Sequence, residues 1–114
     1  MNYPATTLRI VMALLALVSM HLFGQQVFTQ KTDDHEISQL VAQSQEALGQ
    51  HDEQKALSLI RDGLVRFPND EALQVQLARV YVEQKHDQQA IGLLNAILLA
   101  DPTNRNAKLE LAMV

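Results

Sequence analysis

Two histidines each stand directly before an aspartate, His51-Asp52 and His86-Asp87, and two more stand at His21 and His35. Imidazole and carboxylate are zinc ligands and the usual partners in general acid–base chemistry. Zinc takes three or four converging ligands held by supporting hydrogen bonds. The repeated dipeptides bring at most two histidines near each other, so we expect them to be solvated turn residues, each beside an aspartate that caps a helix. A second concentration of acid, Asp33-Asp34-His35-Glu36, has the form of a capping box, in which a carboxylate accepts orphan amides and a glutamate three residues on reaches back. We expect it to begin a helix. No Ser-His-Asp arrangement can be assembled, four scattered glycines make no phosphate loop, and no paired acids stand out. The absence of cysteine leaves neither disulfides nor thiol ligands. We therefore expect no enzyme, no cofactor and no metal.

The net charge of −4 argues against a nucleic-acid surface, which must neutralise phosphates with Lys and Arg. Two Tyr, three Phe and no Trp leave little for base stacking. At 114 residues the chain has room for one domain and a leader.

The elements that would position any site follow from an internal period. Ile37–Asp70 lies over Glu71–Asn104 without a gap: Pro68 on Pro102, Ala56 on Ala90, Leu59 on Leu93, Leu64 on Leu98, Val41 on Val75. A repeat of about 34 residues marks a helix-turn-helix solenoid. In the first unit a helix is expected over about Asp34–Leu48, stopped by Gly49 as a left-handed cap. A second runs from Asp52 to Phe67 with an apolar stripe of Ala56, Leu57, Ile60, Leu64 and Phe67. Gly63 and Ala56 are small where helices must approach closely, and Pro68 ends the helix. Asn69 or Asp70 caps the next one. The second unit repeats the pattern over about Glu71–Gln84 and Asp87–Ala100, and Arg105 to Val114 opens a third.

Leu77, Ala78, Tyr81, Ala90, Leu94, Leu98, Asp101 and Pro102 make the second unit resemble a tetratricopeptide repeat. The first resembles one through Leu40, Ser44, Ala47, Ala56, Leu64 and Pro68. It departs at Gln43, where a large apolar residue is usual, and at His51, where a small one is usual. The second departs at Gln74, Lys85 and Ile97. The resemblance covers Ile37 onward and implies an all-α solenoid that binds protein. It places the concave groove at Val41, Ala42, Gln45, Leu48, Val75, Gln76, Arg79 and Val82, continued by Leu109 and Glu110. There, Gln and Arg would bond an extended peptide backbone while Val and Leu bury its side chains. Val41, Gln45 and Gln76 hold three positions at which chaperone-binding members carry a Lys/Asn clamp for a carboxylate, so that activity is not implied.

Residues 1–30 read as a leader. Arg9 is followed by the apolar run Ile10–Phe23, IVMALLALVSMHLF. This is the length of a signal-peptide core, and extending it to 8–28 would just span a bilayer. No Ala-x-Ala cleavage site follows, so an uncleaved anchor, a cleaved signal and a buried N-terminal helix all stand. Positive charge before the run and Asp33, Asp34 and Glu36 after it direct the repeats outward.

The expected architecture is a hydrophobic N-terminal helix, then a domain over 31–114 with repeats at 37–70, 71–104 and a partial 105–114. The expected function is a protein-interaction adaptor or scaffold in envelope assembly, secretion or biogenesis. Its location would be the inner membrane facing the periplasm, or the periplasm if the leader is cleaved. The alternative is the N-terminal periplasmic part of a larger outer-membrane exporter of polysaccharide or surface lipoprotein. The chain ends partway along a helix, which suits a fragment of a longer repeat protein better than a finished solenoid. If the chain truly ends at Val114, exposed Leu109, Leu111 and Met113 would favour poor solubility or self-association.

Overall fold

The computed structural model describes residues 5–114, apart from the side chains of residues 5 and 19–28. Five helices follow in order: α1 Ala5–Gly49, α2 Glu53–Arg66, α3 Glu71–Glu83, α4 Asp87–Ala100 and α5 Arg105–Met113. The fold is all-α among the described residues. The chain divides into two compact units, the first ending at His35 and the second running from Glu36 to Val114.

In the first unit the side chains of Leu8, Ile10, Met12, Leu14, Leu15 and Leu17 are all exposed. Among the described residues no helix is long and apolar enough to cross a membrane. Side chains 19–28 of the expected segment 8–28 lie outside the described residues.

The helix start expected at Asp33–Glu36 is corrected by the structure, because α1 runs through those residues to Gly49. No proline or glycine interrupts the chain from Gln30 to Leu48, so nothing there competes with the helix. Glu36 does not reach back to an orphan amide. It pairs with Arg66 of α2.

The second unit is a set of antiparallel helix pairs with matching ends. Asp52 caps α2 by accepting from the Lys55 amide at 3.1 Å, Asp70 caps α3 through Leu73 at 2.9 Å, and Asn104 caps α5 through Ala107 at 2.9 Å. Each satisfies one of the first-turn donors that no helical carbonyl can reach. Helix α4 departs from this: its N-cap is His86, which makes no side-chain cap bond, while Asp87 lies in the first turn. The expected capping aspartate at position 87 is therefore displaced by one residue, since His86 is the repeat equivalent of Asp52.

Two helix ends carry left-handed residues, and neither is a glycine. His51 (φ 59°) and Lys85 (φ 62°) follow α1 and α3, whereas Gly49 is the last helical residue of α1 and has no positive φ. The bonds are those of a Schellman turn. The His51 amide donates to the Leu48 carbonyl at 3.0 Å and the Asp52 amide to Ala47 at 2.8 Å; Lys85 donates to Val82 at 3.0 Å and His86 to Tyr81 at 2.8 Å. The left-handed position belongs to the residue two beyond Gly49, which corrects the expected glycine cap.

The core lies between the helices of this unit. Val75, Ala78, Leu94, Ile97 and Ala107 form one buried cluster, and Ala47, Ala56, Leu57 and Val80 another. Ser44, fully buried, satisfies its hydroxyl by donating to the Val41 carbonyl at 2.8 Å. Gly63 sits where the α2 backbone meets its neighbours: a Cβ there would lie 3.0 Å from Leu40 Cδ1 and 3.1 Å from Leu73 Cδ1. One repeat later the sizes are exchanged. Ile97 stands in the Gly63 position and Ala107 in the Leu73 position, and these two share a cluster. Small against large in one repeat contact becomes large against small in the next, keeping both interfaces filled.

Candidate functional site

A helix presents residues i, i+3, i+4 and i+7 on one face. On α3 those positions are Ala72, Val75, Gln76 and Arg79, and on α5 they are Asn106, Leu109, Glu110 and Met113. The second set is the first moved on by one repeat. Val41 and Gln45 of α1 take the positions of Val75 and Arg79 one repeat earlier. Together these ten residues line a cavity of about 270 Å³. The cavity is thus built by the same face of three successive first helices, all within the unit Glu36–Val114.

Of the eight groove candidates read from the sequence, Val41, Gln45, Val75, Gln76, Arg79 and Leu109 line this cavity. Leu48 and Val82 do not. Both lie in the last turn of their helices, beyond the stretch that the cavity spans, and Leu48 packs on the cluster of Ala47, Ala56, Leu57 and Val80. Ala72, Asn106 and Met113 are lining residues that the sequence reading did not place in the groove. The repeat register was the signal for them, since each is one helical turn from a residue that was.

The polar groups of the cavity are unequal. Arg79 forms an ion pair with Glu110 across α3 and α5. The Glu110 side chain is 6% exposed and that of Arg79 37%. The guanidinium carries five N–H donors in a fixed fork, so one carboxylate leaves donors unspent. Gln76 is buried, and its Oε1 has no hydrogen-bond partner. No local pattern pointed to that, because burial depends on α5 closing over α3. Gln76 and Glu110 are the same repeat position. The carboxylate acceptor at 110 is served by Arg79, but the residue one repeat before Arg79 is Gln45, which is exposed and does not bond to Gln76. Val41, Val75, Leu109 and Met113 supply apolar walls. Leu109 and Met113 are 56% and 66% exposed, while Leu111, expected beside them at the surface, packs against the core cluster around Leu94.

His51 and His86 are exposed turn residues, the latter 6.4 Å from the Tyr81 ring centroid. Among the described residues no group of three or more His, Asp and Glu side chains could hold a metal ion.

The family model for the tetratricopeptide repeat matches residues 47–113, and the chain belongs to that family. Its members are typically non-catalytic scaffolds for other proteins. No curated protein and no solved structure matches the chain.

Proposed function

We propose that this protein is an interaction module that holds an extended segment of a partner polypeptide in the groove of α1, α3 and α5. The observation that carries this reading is the cavity itself, lined at equivalent repeat positions by apolar walls, a guanidinium and a primary amide. Apolar side-chain pockets between backbone-bonding groups suit an extended peptide. We further propose that the module works at the cell envelope, associated with a membrane through residues 8–28 and with its repeats exported. The support is the uninterrupted apolar surface of Ile10 to Val18 together with the charge asymmetry around it.

A photoreactive side chain placed at Leu109 in the full-length protein tests the groove, with Val65 on the second-helix side as control. Crosslinking to a polypeptide from Leu109 and not from Val65 is expected. Equal crosslinking at both positions refutes the groove. Membrane fractionation and protease access on intact cells test the location: recovery with soluble cytoplasmic proteins refutes the envelope role.

A further inference from the structure

Resting on the groove reading above, we propose that the cavity takes an extended, uncharged stretch of polypeptide and turns acidic stretches away. Gln76 pairs with its backbone amide, Arg79 with its backbone carbonyl, and Glu110 enforces the discrimination. In an extended chain the N–H and C=O of one residue point to the same side. Gln76 and Arg79 stand one turn apart on one face of α3, about 5–6 Å between Cβ atoms, so an acceptor and a donor meet that pair side by side.

The acceptor is vacant. Oε1 of Gln76 is buried with no partner, at the repeat position where Glu110 receives Arg79. A buried acceptor without a donor is destabilising, and a donor arriving with a ligand relieves it. The terminal torsion of a glutamine is soft, so the amide turns toward the cavity at little cost. The donor side is partly spent. Arg79 is held by Glu110, whose side chain is 6% exposed, which leaves the pair electrically neutral while Arg79 lines the cavity with N–H donors to spare. A peptide carboxylate that captured Arg79 would leave Glu110 buried and unpaired, which is strongly unfavourable. A backbone carbonyl can use the remaining donors without breaking the pair.

The test immobilises the full-length protein and challenges it with a random library of short peptides blocked at both ends. The wild-type pool is expected to be depleted in Asp and Glu by about threefold or more and to alternate apolar residues. Glu110→Gln frees Arg79 and should bring acidic residues back to at least their library frequency. Gln76→Leu removes the vacant acceptor, so the protein should melt at or above wild type while binding of a wild-type-selected peptide weakens about tenfold. An acidic wild-type pool, or a Glu110→Gln pool as depleted as wild type, overturns the proposal and leaves peptide binding intact. Unchanged affinity in Gln76→Leu also overturns it. If no peptide is retained by any of the three proteins, the groove reading fails and this inference with it.

Discussion

Replacing Gly63 by isoleucine and Leu73 by alanine in one molecule would give that pair the sizes of Ile97 and Ala107 one repeat later. Leu73 is fully buried, so Leu73→Ala alone should cost about 3–5 kcal/mol, the transfer free energy of the lost atoms plus the cavity they leave. Gly63→Ile alone drives a Cβ to within 3.0–3.3 Å of Leu40 and Leu73 side-chain carbons. Overpacking of that kind costs about 1–3 kcal/mol, offset by roughly 0.5 kcal/mol of helix propensity. Simple addition predicts a loss near 5 kcal/mol, comparable to the whole stability of a domain this size, about 4–12 kcal/mol. The double variant should lose only about 1–2 kcal/mol, because the isoleucine occupies the space the leucine left, as Ile97 does beside Ala107. The coupling of about 3–4 kcal/mol would be read from urea unfolding of the full-length chain followed by far-ultraviolet circular dichroism. Additivity within about 0.5 kcal/mol would refute the exchange of sizes as the reason for these residues.

Other consequences are smaller. His51→Gly and Lys85→Gly should each stabilise the protein by about 0.5–1 kcal/mol in the same unfolding assay, because both residues hold positive φ where glycine carries no Cβ strain. Asp70→Ala should cost about 1 kcal/mol through the lost cap on α3, while the same change at Asp87, which caps nothing, should stay within about 0.5 kcal/mol. The Asp101 carboxylate accepts from the Thr103 hydroxyl at 2.6 Å and from its amide at 2.9 Å, and these bonds hold its pKa below the ordinary aspartate value. A lowered folded-state pKa means that its contribution is complete above the unfolded-state value, about 3.9, and is lost as pH falls through the folded one. Asp101→Asn should therefore flatten part of the acid limb of a melting-temperature profile and leave the neutral limb unchanged in slope.

The helix pairs, the cap at Asp52, a cap at Asn69 or Asp70 and the close approach at Gly63 were legible because each rests on a local residue type in a repeated register. The left-handed positions were not. A His and a Lys occupy them, and Gly49, two residues before His51, offers a more obvious but wrong candidate. The continuity of α1 was hidden because Asp33–Glu36 has the composition of a helix start, while whether a helix starts there depends on the residues before it. Six groove residues could be named from register and family resemblance. The ion pair of Arg79 with Glu110 and the unpartnered Gln76 oxygen could not, since both arise only when α5 packs on α3. The inward turn of Leu111 has the same origin.

The central claim is that the face shared by α1, α3 and α5 is the binding face. Amide shifts of the full-length protein recorded during titration with a library-selected peptide test it most directly. Perturbations should gather at Val41, Gln45, Val75, Gln76, Arg79 and Leu109 and spare Val65 and Leu99, the exposed apolar residues of α2 and α4. Perturbations centred on Val65 and Leu99, with the cavity residues unmoved, would contradict it.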